Sequence, residues 1–251
     1  MQTRTLSLTR LLLLCGAIAG PFFIVVLLVQ DYTRPGFDPR RDILSLLSLG
    51  DWGWVQMTNF ILVGVLNLLY AVGLWRRVHP GRGGTWGPIL MALYGLGLVV
   101  VGILRTDPAN GFPPGVPAAT HPSWHGAIHA AGAGVVFLLL GAALLVFVRL
   151  FLARKERGWA VYCLASAVLI LLIFFTSFTN AAWMARLLRL AVLIGWMAAS
   201  LVAIKFVSAP DAPQQRREQE PPTLLTTGEL TPSRSPVTPS CDGSSFTIAT
   251  N

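Results

Sequence analysis

Six apolar stretches dominate the first 207 residues of this chain, running approximately over 11–30, 54–75, 87–104, 124–148, 158–178 and 187–207. Each is close to the ~20 residues that a helix needs to cross a hydrocarbon core of ~30 Å. A segment in lipid must satisfy its own backbone N–H and C=O groups, which a helix does and an unpaired strand does not. The expected fold is therefore all-α and integral to a membrane, a six-transmembrane-helix bundle. Trp54, Trp75, Trp124 and Trp159 fall at the ends of these stretches, where amphipathic rings prefer the membrane–water interface. Composition agrees. Charged residues make up 12% of the chain and apolar ones 54%, against about 25% charged in an ordinary soluble domain.

The first stretch has a competing reading. Arg4 and Arg10 precede it, and Ala17-Ile18-Ala19 resembles a signal-peptidase site. The apolar run continues past that site to Val29, however, so an uncleaved first span is expected. From Ser208 onward the chain has seven prolines and many Ser, Thr and Gln residues. It is too polar to bury a core and is expected to be a disordered tail over 208–251.

Basic residues set the expected direction. With the N-terminus inside, 13 of the 19 Lys and Arg residues fall on the cytoplasmic side. Six fall outside: Arg34, Arg40, Arg41, Arg105, Arg186 and Arg189. Both termini of a multi-pass plasma-membrane protein are thus placed in the cytoplasm. The net charge of +8 is read as retention at the anionic leaflet. No stretch interleaves Arg with exposed aromatics, so no nucleic-acid partner is expected. Cys15, Cys163 and Cys241 show no metal-knuckle or redox spacing.

Polar residues gather on the expected outer side. Of the six acidic residues before the tail, Asp31, Asp38, Asp42, Asp51 and Asp107 lie there and only Glu156 does not. Gln56 and Asn59 open the second span, and Ser123, His125 and His129 open the fourth. With Arg34, Asp38 and Asp107 they form a candidate polar site, since such groups at membrane depth normally face a bundle interior or a wet cavity. His125 and His129 are four residues apart, a turn of about 40° and a rise of about 6 Å. They share a helix face and can hold one metal, with Asp107 and His121 as candidate further ligands; zinc suits that donor set. A Ser123–His125 nucleophile pair is not expected, because positions two apart on a helix point about 200° apart. The small residues Gly126, Ala127, Ala130, Ala131, Gly132, Ala133 and Gly134 suggest close helix packing and a central fourth span.

Two loops stand out. Residues 31–53 begin with a turn-rich run and continue into Ile43-Leu44-Ser45-Leu46-Leu47-Ser48-Leu49-Gly50, too short to span and expected to lie in the interface as an amphipathic helix. Residues 105–122 carry five prolines, a density that suggests a stiff cap over the outer bundle end.

Several of these runs together resemble a known family. The runs are Arg34-Pro35-Gly36-Phe37-Asp38-Pro39, Gly53-Trp54-Val55-Gln56-Met57-Thr58-Asn59-Phe60, Asp107-Pro108, Gly111-Phe112-Pro113, and Ser123-Trp124-His125-Gly126 followed by His129. They are similar to motifs of bacterial multi-pass membrane proteins catalogued as domain of unknown function number 998. The resemblance covers about 11–207 and leaves the tail outside. It implies a six-helix membrane protein and no established reaction, substrate or cofactor. Three readings of function follow from the residues: a binding or envelope-associated module engaging a lipid, an envelope component or a membrane protein at its outer face; a metal-dependent hydrolase using His125, His129 and Asp107; and a small transporter with His129 and Asn59 along its path.

Overall fold

The computed structural model describes residues 7–209 apart from Arg82. The tail, from 210 on, lies outside the described residues, as do Cys241 and Arg4. Six helices form: α1 (Leu8–Thr33), α2 (Gly53–Val78), α3 (Trp86–Ile103), α4 (Trp124–Ala153), α5 (Arg157–Ser177) and α6 (Ala181–Ser208). There is no strand among the described residues, and all six helices are long and apolar enough to cross a membrane. The all-α six-span expectation is borne out.

Each helix packs on its neighbours in sequence, and α6 returns to pack on α1, so the six close into a ring. Local rules start the helices. Ser7 and Ser123 cap α1 and α4 by accepting the amide of the residue three further on, and Asn180 caps α6 by accepting from Ala182. α6 begins six residues before the apolar stretch that marks it. Arg186 and Arg189, which look like loop charges, are both helical: Arg186 folds back on the Ala182 carbonyl and the Trp183 ring. Ala17-Ile18-Ala19 lies within α1, whose Leu13, Ala19, Phe23 and Leu27 are core residues.

Backbones approach closely along the seam between α2 and α3. A Cβ on Gly64 would sit 2.7 Å from the Gly95 carbonyl oxygen, and one on Gly95 would sit 2.7 Å from that of Gly64. The expected central position of α4 is not found. α4 is a ring member between α3 and α5, and its small residues divide between two uses. Gly126 makes room for the Asp107 carboxylate and Gly132 sits over Val101, whereas Ala130, Ala133 and Gly134 border a cavity.

The loops 34–52 and 104–123 close one end of the ring. Phe37 meets Phe112 edge-on at 5.4 Å between ring centres. The Asn110 amide donates to the Arg41 carbonyl, and the Arg34 guanidinium donates to the Leu49 carbonyl while lying over Phe112. The proline-rich loop is thus an ordered cap, as its composition suggests. The apolar run of the first loop differs from expectation. Leu44–Ser48 is a 3-10 helix with Leu46 and Leu47 wholly buried; its two serines eclipse at i and i+3, and Ser48 donates its hydroxyl to the Ser45 carbonyl, so the leucines are left to pack inward. At the opposite end Glu156, the one acidic residue there among the described residues, pairs with Lys205 at 2.8 Å.

Candidate functional site

The polar residues singled out in the sequence all lie at or near the capped end, but they form three separate groups. The first is built on the start of α4. Asp107 accepts from the Ser123 hydroxyl at 2.6 Å and from the Ser123 amide at 2.9 Å. The Ser123 hydroxyl in turn accepts from the Gly126 amide at 3.0 Å. His125 Nδ1 lies 2.9 Å from that hydroxyl and 3.0 Å from the Arg105 carbonyl. Ser123 and His125 therefore do meet, against expectation. Ser123 is the N-cap, with φ −72° and ψ 160°, so the angular rule for two helical positions does not apply to it.

The order of contacts is not that of a nucleophile triad. There the histidine stands between serine and carboxylate; here the serine stands between carboxylate and histidine, donating to Asp107 while receiving a helix amide. This is a helix cap held by a carboxylate.

Ser123 fixes the charge of its partner. The Ser123 hydroxyl holds the Asp107 carboxyl below the usual carboxylate range; partial burial opposes it, and the Ser123 amide and His125 add to it. A carboxyl depressed in the folded state stabilises fully above its unfolded value of about 3.9 and loses that contribution as pH falls through the lower folded value. Thermal melting of wild type and Asp107→Ala is therefore expected to differ at neutral pH and to converge below about pH 4. Ser123→Ala removes the cap and is expected to cost about 0.5–2 kcal/mol at neutral pH. Equal melting of wild type and Asp107→Ala at neutral pH would contradict the first expectation, and equal melting of wild type and Ser123→Ala the second.

The second group lies between α1 and α2. Gln30 Nε2 donates to Gln56 Oε1 at 2.7 Å, and Asn59 Nδ2 lies 3.4 Å from both Gln56 Oε1 and the Phe23 carbonyl. Gln30, Gln56 and Asn59 are buried, and Asn59 is not among the residues bordering the cavity. Arg34 and Asp38 belong to neither group: Arg34 binds within the cap as described, and Asp38 Oδ1 accepts from the Arg40 amide of its own turn.

The third group is His129, about 8 Å down α4 from its start by helix rise. It is 2% exposed. Its Nδ1 faces two carbonyls at the end of α3, Leu104 at 2.7 Å and Val101 at 3.0 Å. A carbonyl only accepts, so Nδ1 carries the proton and Nε2 is left with a lone pair. Nε2 is buried and makes no hydrogen bond within the protein.

His129 borders a cavity of about 190 Å³ between the helices, partly open at its rim. All six helices contribute to its wall, with Phe23, Phe60, Tyr94, Phe174 and Trp196 among the aromatic members, and Leu44, Ser45 and Thr106 of the loops border it at the capped end. Phe23 stacks on Trp196 at 5.0 Å, and Tyr94 meets the same indole edge-on at 5.7 Å. Leu98, Val136, Leu140 and Leu188 fill much of the remaining wall. No Asp, Glu, Lys or Arg lines it.

The donor set was tested for a metal. His125 and His129 share a face and both turn Nδ1 to carbonyls around the end of α3, while both carboxylate oxygens of Asp107 accept from Ser123. His121 is exposed. Among the described residues no three His, Cys, Asp or Glu side chains converge to hold a metal ion, and no step through zinc is derived.

One charged pair escaped sequence reasoning. Arg189 of α6 donates to Asp31 of α1 at 2.5 Å, both side chains are largely buried, and the guanidinium also lies over Phe37. The available signal was an arginine two residues inside an apolar stretch.

A ring of six apolar helices around a cavity, with both long loops folded over one end, defines a multi-pass membrane protein. A family profile described as "Protein of unknown function (DUF998)" matches residues 17–205, and the chain belongs to that family, as its motifs suggest. No curated protein and no solved structure matches it.

Proposed function

We propose that this protein is a membrane binding module that takes an apolar molecule from the lipid phase or the cell envelope into the chamber beneath its two-loop cap. The observation that carries the reading is the cavity itself: its wall comes from every helix of the ring and is almost wholly apolar. Apolar walls with a few placed polar groups are the usual make-up of a small-molecule site. The Ala130, Ala133 and Gly134 positions on α4 support it, because larger residues there would fill the space.

The capped end is assigned to the outside of the plasma membrane. Basic residues are fewer at that end, and two of its six arginines, Arg34 and Arg189, are engaged inside the fold. Most of the basic residues are then at the opposite end, as the positive-inside rule requires of a cytoplasmic face.

The test fills the chamber. A Cβ on Gly134 would have only the Phe174 ring tip, at 3.7 Å, as a neighbour within reach, so Gly134→Leu grows into open space. Native mass spectrometry of protein in nanodiscs is expected to show an apolar molecule bound to wild type and absent from Gly134→Leu, with little change in melting. Identical occupancy in the two proteins, or none in either, would refute the chamber as a binding site.

A further inference from the structure

We infer that the chamber opens sideways beneath the cap, between the start of α4 and the end of α5, and that its guest is a lipid of the surrounding leaflet, held with a tail inside and its polar head at the rim. The inference rests on the binding reading above and adds where the guest enters and which way round it sits.

The exposure of the lining residues locates the opening. Midway along the helices, Tyr94, Leu140 and Trp196 border the cavity and are buried. Nearer the capped end, Phe60 of α2 and Val101 of α3 border it and are buried too. Ala130 and Phe178 border the same cavity yet are exposed, Phe178 at 61%. A residue that borders a cavity and is also open to the outside marks where the two join. These two lie on one side of the ring. Gly134 is one turn along α4 from Ala130, and a Cβ there would lie 3.7 Å from the Phe174 ring tip. Phe174 in turn meets Phe178 edge-on at 5.1 Å.

The level of that mouth names the guest. Trp124, 71% exposed, starts α4, and exposed Trp183 lies in the first turn of α6; such rings sit at the membrane–water interface. Ala130 is about 9 Å further along α4 by helix rise, on the hydrocarbon side of that boundary. The half-buried Ser45 and Thr106 of the two loops border the cavity at the capped end, so the rim is polar toward water and apolar toward lipid. A lipid in that leaflet already has its head at this level and its tails directed toward the midplane, so a tail enters by moving sideways. The head stays out, because no charged residue lines the wall and a charge taken from water without a partner is strongly disfavoured. A molecule arriving from water would have to cross the two-loop cap.

The experiment uses the full chain in nanodiscs with three photoreactive probes. Two are phosphatidylglycerols, one with a diazirine at a tail end and one with it in the headgroup; the third is a short diazirine alkane. Crosslinked positions are read by peptide mass spectrometry. In wild type the tail-end probe is expected to label Leu140 and Trp196 roughly tenfold or more above the headgroup probe, since a charged head is not drawn into an uncharged wall. The headgroup probe should label the rim at Ser45 and Thr106 instead. Ala130→Phe fills the mouth and should abolish labelling of Leu140 and Trp196 by the lipid. Labelling of Leu138 and Leu145, exposed on α4, should persist and show that the variant is folded in the bilayer. The wild-type pattern needs no variant. Equal labelling of Leu140 and Trp196 by both lipids, or by neither while the alkane reaches them, would overturn the lipid guest and leave the chamber standing. Unchanged lipid labelling of the wall in Ala130→Phe would overturn the placement of the mouth. Failure of the alkane as well as the lipids would overturn the chamber itself.

Discussion

Arg189→Ala is expected to destabilise the folded protein by about 3–5 kcal/mol, the usual result of removing one partner from a buried ion pair. The Asp31 side chain is 4% exposed and the Arg189 side chain 13%, so water cannot replace the lost guanidinium. Deletion also strips a contact from Phe37 and unpins the first loop at the place where α6 closes on α1. Arg186→Ala is the control. That side chain is exposed and bonds only to its own helix and the neighbouring Trp183, so its loss should stay within about 0.5 kcal/mol. The double substitution Asp31→Leu with Arg189→Leu should recover much of the loss, because the penalty of the single variant is the unpaired charge rather than the missing attraction. Unfolding in mixed micelles reads all four proteins. Equal effects of Arg189→Ala and Arg186→Ala would show that the pair holds nothing together.

Gly95→Leu is expected to open the seam between α2 and α3. The added Cβ would lie 2.7 Å from the Gly64 carbonyl oxygen and 3.0 Å from the Leu68 amide nitrogen. Those are backbone atoms of a hydrogen-bonded helix, so they cannot swing aside as a side-chain tip can. Relief requires the helices to separate, at a cost at or above the upper end of the ~1–3 kcal/mol typical of overpacking. Since α3 carries the carbonyls that hold His129, the His129 Nδ1 environment should change as well. Gly158→Ala is the contrast: a Cβ there meets nothing within 4 Å, and alanine is the better helix former by about 1 kcal/mol, so melting should stay level or rise. Similar melting of Gly95→Leu and wild type would mean that close backbone approach is not what joins these helices.

The spans and the stiff proline-rich loop were legible in the sequence because their signals are local. A run of apolar residues near the length of the hydrocarbon core has one stable arrangement in lipid, and five prolines between 105 and 122 stiffen that stretch whatever it touches. The start of α6 was not legible, because an arginine at a helix end and an arginine in a loop look alike until their partners are known. The meeting of Ser123 and His125 escaped a rule for helical positions because one of the two is the cap. The small-residue strip on α4 was legible as a strip, but not in its division between packing and cavity, since that depends on what lies opposite each residue.

The sequence by itself determined that this chain is a six-span membrane protein, which end of each span carries the polar residues, and which family it belongs to. All three follow from the transfer of one segment at a time between water and lipid, or from the order of short motifs. The tertiary structure alone decided that α6 closes on α1, that Asp31 finds Arg189 across 158 positions of chain, and that His129 stands with one nitrogen tied to α3 at the wall of a cavity. Those depend on neighbours far apart in sequence, and closure of the ring fixes them: until the last helix docks, the cavity beside the histidine lacks the wall that Leu188, Val192 and Trp196 supply.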